Sequence, residues 1–281
     1  TTEITFGDQI FAREIANAAA NVLPPASYEN AKITITGRGI ANVRAASYTG
    51  PELAIDSIAS AFGVELATDV ENATTLPLPT NLAGTTVKLT DSQGNTKLAP
   101  LFFASPSQVN YQIPEGLAEG IAQVTITNRS GAISRGSLVL SSTAPSIFAA
   151  DASGKGWAAA NVVRVAGNGQ QNGESIVRYD ASANKFLPIP IDLGPERGTN
   201  SDKVFLTLYG TGIRQRASLN QVKVKIGDVL LPVDYAGKQG EFAGLDQINV
   251  LLPRLLSGRG EVNVEVIVNG QSANAVKVFL Q

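Results

Sequence analysis

The chain has 281 residues, 43% hydrophobic and 16% charged, with 22 basic against 24 acidic side chains and a net charge of −2. That length suits two domains of about 100–150 residues, and the balance excludes disorder, a basic nucleic-acid footprint and any apolar run near the ~20 residues of a membrane span. Cys and His are both absent, so disulfides, thiolate zinc sites, imidazole triads and HExxH metal centres are excluded.

Met is absent too. The expectation is a chain that begins after a processing event such as removal of a signal peptide, which places it outside the cell or at the cell surface.

Residues 1–39 read as an N-terminal arm. Thr2, Ile4 and Phe6 alternate with polar neighbours at the spacing of a short strand. From Asp8, a candidate N-cap, the period becomes helical: Phe11, Ile15, Ala18 and Val22 share a face, with Ile10 beside them, and the Pro24-Pro25 pair ends the run. A further strand is predicted over residues 31–36.

Residues 40–145 form the first repeat. Residues 57–63 carry apolar spacing compatible with a helix, but their counterpart at 204–210 reads as a strand, so a strand is predicted for both. Strands follow at 85–90, 99–103, 108–114, 122–127 and 136–140, with a turn at 91–95. Residues 143–148 are the joint between the copies. The second repeat, 146–281, contains a long polar insertion over 165–200, in which a strand pair is expected near 176–179 and 186–191. Its later strands are predicted at 222–226, 229–235, 247–253, 262–268 and 275–280. Short strands every eight to twelve residues with Gly, Asn and Pro between them predict an all-β fold of two tandem Ig-like β-sandwiches.

The repeat is plainest in one phrase. Gln-Val-Asn-Tyr-Gln-Ile-Pro at 108–114 returns as Gln-Ile-Asn-Val-Leu-Leu-Pro at 247–253. Gln108, Asn110 and Pro114 answer Gln247, Asn249 and Pro253, just as Phe62-Gly63 answers Tyr209-Gly210. On a strand the amides share one face and the apolar residues the other. A binding row for sugar or peptide is one reading. Amides that bond loop backbone and fix register, with Pro ending the strand, is the preferred one, because a frame element is kept in duplicate more readily than a site.

From about residue 42 onward the chain resembles an uncharacterised C-terminal domain family of acidobacterial proteins, first noticed in Solibacter. The resemblance lies in Ala45-Ala-Ser-Tyr48, residues 57–66, Leu82-Ala-Gly-Thr85, residues 100–114, Ala144-Pro-Ser-Ile-Phe148, Leu208-Tyr-Gly-Thr-Gly212 and residues 244–253. It implies Ig-like sandwiches in secreted or surface proteins, and no catalytic residues.

Other motifs favour structural readings. Gly-x-Gly occurs at 167–169 and 210–212 without the strand–turn–helix context of a phosphate cradle. Asp91 and Asp151 head turns too poor in oxygen ligands for a calcium loop. Asn72 and Asn128 head glycosylation sequons. Trp157, the single Trp, is a candidate sugar platform, with packing at the domain joint preferred. No cofactor or metal is expected, and no enzyme activity.

The expected function is that of a secreted structural subunit of an extracellular filament, pilus-like fibre or sheath. Its partner is a further copy of itself, reached through Thr2, Ile4, Phe6, Ile10, Phe11 and Ile15 of a donated arm. The alternative is a surface adhesion or carbohydrate-binding module that meets polysaccharide through Trp157 and loop 165–200. A carboxylate-driven glycoside hydrolase ranks last.

Overall fold

A computed structural model describes residues 38–194 and 202–281. The expected strand and helix of the arm, and its six contact residues, lie outside the described residues.

Strands dominate, and the helical turns among the described residues are the short 3-10 segments Leu219–Gln221 and Arg254–Leu256. Two separate clusters of buried apolar side chains form the cores. One runs from Leu53 to Leu140 and the other from Ile147 to Leu280.

The first core lies between two sheets. One has the order Arg38–Gly39, Ile133–Ser141, Gly120–Thr127, Thr86–Thr90, Thr96–Leu98, with Glu52–Ala54 parallel to Ile133–Ser141. The other has the order Ala41–Arg44, Ile58–Phe62, Gln108–Gln112, Leu101–Ala104, Glu71–Asn72. Alternation supplies the inner faces: Val87 and Leu89, Val124 and Ile126 point in from one sheet, Val109 and Tyr111 from the other.

The second core repeats the plan. Its first sheet runs Gln171–Ser175, Ala160–Val165, Lys203–Thr211, Asp246–Leu251, Tyr235–Lys238, and its second runs Val229–Pro232, Val222–Ile226, Gly260–Val268, with Val276–Leu280 also on Gly260–Val268. The fold is therefore all-β, two mainly antiparallel two-layer sandwiches of Ig-like build in tandem.

Register carries the repeat further than sequence does. Phe62 sits opposite Gln108 and Ser60 opposite Asn110, as Tyr209 sits opposite Gln247 and Thr207 opposite Asn249.

Several element boundaries differ from the sequence reading. Residues 229–235 are two strands, Val229–Pro232 and Tyr235–Lys238, in different sheets. The first copy does the same: Thr96–Leu98 and Leu101–Ala104 lie in opposite sheets. A proline stands at each crossing, Pro100 and Pro232, where a missing N–H ends ladder pairing at no cost. The insertion holds a hairpin, Val177–Asp180 with Lys185–Pro188. It also holds Gln171–Ser175, a strand absent from the sequence reading because its Gln, Asn, Gly, Glu and Ser include no apolar side chain, so no alternation marks it.

Candidate functional site

The site with the densest chemistry lies between the sandwiches. The joint stretch does not hang free: Ser146–Ile147 pairs with Thr211 and Gly210, and the Ala144 N–H donates to the Gly212 carbonyl at 3.0 Å. That brings the loop after Lys203–Thr211 against the turn before Ile58–Phe62.

Arg214, on that loop, faces both copies. Its Nη1 donates to Asp56 Oδ2 at 2.9 Å and its Nε to Asp246 Oδ1 at 2.6 Å, while Nη2 donates to the Leu245 carbonyl at 2.7 Å. Asp56 belongs to the first sandwich and Asp246 to the second. The side chains of Arg214, Asp56 and Asp246 are 7%, 2% and 0% exposed. Around them, Gln112 Nε2 donates to Asp56 Oδ1, and Lys238 Nζ lies 3.4 Å from Asp56 and 3.0 Å from Glu115. The Ile58 N–H donates across the seam to Thr211 Oγ1 at 2.9 Å, and that hydroxyl donates in turn to the Gly244 carbonyl at 2.8 Å.

The two carboxylates are pushed in opposite directions. Burial raises Asp56, but hydrogen bonds and charge from Arg214, with Lys238 behind, outweigh it and hold the group below its ordinary value. At Asp246 burial wins over Arg214 and the Ile213 and Arg214 N–H donors, and the group is raised.

A cleft of about 580 Å³ opens on this seam, with Leu98, Pro100, Lys238 and Phe242 in its walls, and a smaller one of about 350 Å³ adjoins it. The arrangement suits an ionic clamp. A general acid needs a raised carboxyl that meets substrate. Asp56 borders the cleft but is lowered, and Asp246 is raised but fully buried.

Sequence reasoning passed over Asp56, Arg214 and Asp246. The signal lay in the differences between copies. Counted from the shared Phe62-Gly63 and Tyr209-Gly210, Arg214 falls where the first copy has Ala67, and Asp246 precedes Gln247 where Ser107 precedes Gln108.

The sequence-predicted residues fall as follows. Gln108 Nε2 donates to Asn110 Oδ1 at 2.8 Å, and Gln247 Nε2 to Asn249 Oδ1 at 2.9 Å. The amides thus bond along their own row, and Ser60 Oγ adds a cross-strand bond to Asn110 at 2.8 Å, where loop backbone was the expected partner. Pro114 and Pro253 follow the ends of Gln108–Gln112 and Asp246–Leu251.

Asp91 and Asp151 accept N–H and O–H donors from their own turns. Among the described residues, no group of three or more acidic side chains is placed to hold a metal ion. Asn72 is exposed, whereas Asn128 is buried, its amide bonded to the Glu65 carbonyl and its oxygen to Ser130 and Ala132. Trp157 follows a loop whose Gly154 packs against Ser47 of the first sandwich. It is half-buried and lines a cavity whose walls all come from the second sandwich. Among the described residues, no helix is long and apolar enough to cross a membrane.

No family model matches the chain, and no curated protein does. Among solved structures, bovine butyrophilin is similar at 10% identity over 87% of this chain and 99% of its own, with a TM-score of 0.24. A tetra-tandem repeat from the extending region of a large adhesion protein is similar at 11% identity, 87% and 74% coverage and a TM-score of 0.21. Domains 5–6 of the S-layer protein SbsC give 13% identity, 86% and 95% coverage and a TM-score of 0.24. Similarity that slight decides nothing about this chain.

Proposed function

We propose that this chain is a non-enzymatic structural subunit of an extracellular or surface assembly, in which copies join through residues 1–22 and 31–37. The observation that carries the reading is the seam. Two sandwiches joined by Asp56, Arg214 and Asp246 pack as one compact unit, as a subunit that repeats along a polymer requires.

Two features support the joining mode. Among the described residues, Gln171–Ser175 and Thr96–Leu98 are each paired on one side only, so their outer backbone groups form edges that an extended segment can extend. Thr2, Ile4 and Phe6 carry the alternation such a segment needs. A contact in which each copy gives its arm to the next is heterologous and need not close, so it builds a filament. The resemblance to exported acidobacterial domains supports the location.

Electron microscopy of the purified chain tests this. Filaments are expected from the full chain and monomers from a chain lacking residues 1–22. A truncated chain that still polymerises, or a full chain that stays monomeric at every concentration, overturns the reading.

A further inference from the structure

The second sandwich carries a cavity of about 450 Å³ that the clamp does not use. Three of the chain's aromatic side chains line it. Trp157 comes from the loop before Ala160–Val165, and Tyr179 and Phe186 from the hairpin Val177–Asp180 and Lys185–Pro188. Tyr179 and Phe186 pack edge to face, centroids 5.3 Å apart, yet Tyr179 stays 54% exposed. The loop is held firmly. The Ala150 N–H donates to the Trp157 carbonyl at 2.8 Å, Trp157 bridges to Lys277, and Asn274 Nδ2 donates to the Gly154 carbonyl at 2.9 Å.

Polar groups stand at the rim. Tyr179 donates its hydroxyl hydrogen to Asn184 Oδ1 at 2.5 Å, and the Asn184 amide hydrogens meet no acceptor among the described residues. Asp151 Oδ1 accepts the Ser153 N–H and hydroxyl, holding the carboxylate ionised, while Oδ2 keeps its lone pairs. Lys185 has no ion-pair partner among the described residues, although it too lines the cavity.

A concave surface with several aromatic rings and a few unspent donors and acceptors is what a sugar requires. The C–H groups of a pyranose ring meet the electron-rich faces of aromatic side chains, and its hydroxyls exchange hydrogen bonds with carboxylate, amide and ammonium. The volume lies within the ~300–1,000 Å³ of small-molecule sites. Exposed aromatic area also costs little conformational entropy on binding, since each ring has two side-chain torsions.

We propose that the cavity formed by Trp157, Tyr179, Phe186, Asp151, Asn184 and Lys185 is a saccharide-binding site that seats a pyranose unit of a polysaccharide. The site does not rest on the polymer reading, because all its residues come from one sandwich of one copy.

Trp157 makes the test direct, since it is the chain's single Trp and its fluorescence reports this cavity alone. The full chain is titrated with cello-oligosaccharides, chito-oligosaccharides and oligogalacturonates. The expected result is a saturable blue shift with at least one series, the acidic one engaging Lys185. Tyr179→Ala removes an exposed ring and is expected to weaken binding about tenfold or more while the chain still unfolds cooperatively, with a small drop in thermal midpoint from the lost Phe186 contact. For the acidic series, Lys185→Ala gives a second, fold-neutral variant that weakens binding. Absence of a saturable shift with all three series overturns the proposal, as does a shift that survives Tyr179→Ala at full strength.

Discussion

Both carboxylate oxygens of Asp91 are taken by N–H donors: Oδ1 by the Gln93 and Asn95 backbone, Oδ2 by the Ala118 backbone and the Asn95 side chain. A cation would find no free lone pairs there. The Ala118 bond leads the causes that bring the group down to about 2. The unfolded value is ~3.9. A lowered folded value means that the unfolded chain binds the proton first, so the stability from this turn is present above about pH 4 and lost as pH falls toward 2. Asp91→Ala is therefore expected to lower the thermal midpoint at neutral pH, with the deficit shrinking between about pH 4 and 2. Thermal melts of both proteins across that range check it; a deficit constant with pH would refute the assignment. The turn itself was legible in the sequence from Asp, Gly and Asn in close order. Its acceptor role for Ala118, 27 residues on, was not, because no local pattern encodes a loop-to-loop bond.

At the scale of elements, the loop after Gly63 and the loop after Gly210 are the same turn put to different uses. Glu65 and Gly212 occupy matching positions, with φ of 54° and 79°. In the first copy the next N–H, from Leu66, donates to the Pro106 carbonyl; in the second, that of Ile213 donates to the Asp246 carboxylate. Glu65 is exposed and tolerates a side chain. At Gly212 a Cβ would press into the Ala144 carbonyl of the joint, which is backbone and cannot swing away. Gly212→Ala thus combines a left-handed backbone with a steric conflict, and is expected to cost about 2–4 kcal/mol. Glu65→Gly, at the matching left-handed position and away from the joint, relieves only the conformational cost and is expected to change stability by about 1 kcal/mol or less. Urea unfolding of the two variants separates the effects; a Gly212→Ala loss no larger than the Glu65→Gly change would show that conformation alone decides. Strand existence and order were readable from Gly-punctuated alternation and from the echo at 108–114 and 247–253. The sheet crossings at Pro100 and Pro232 were not, since a strand that changes sheets keeps its apolar pattern while changing partners.

The whole molecule turns on whether its two cores act as one body. Each core is complete by itself, so independent unfolding is the default for tandem sandwiches. The clamp works against that default. Arg214 is held by Asp246 within its own sandwich and by Asp56 of the other, with all three side chains nearly out of water. Removing one partner of such a set leaves an uncompensated buried charge, a loss of about 3–5 kcal/mol. Arg214→Ala does so to both carboxylates at once, damaging the second core as well as the contact. Asp56→Asn is the cleaner change. It keeps the shape, and Asn tolerates the left-handed φ of 65° at this position. It leaves the Arg214–Asp246 pair intact and removes the buried carboxylate charge that meets Arg214 across the seam, while the exposed Lys238–Glu115 pair remains. The wild type is expected to melt in one calorimetric transition, and Asp56→Asn in two, with the core that holds Arg214 and Asp246 close to its original midpoint. Arg214→Ala is expected to lower that second core in addition. One transition at an unchanged temperature for Asp56→Asn would mean that the Ile58–Thr211 bond and the Lys238–Glu115 pair hold the cores together without the buried carboxylate. The rigidity asked of the subunit would then reside in those two contacts.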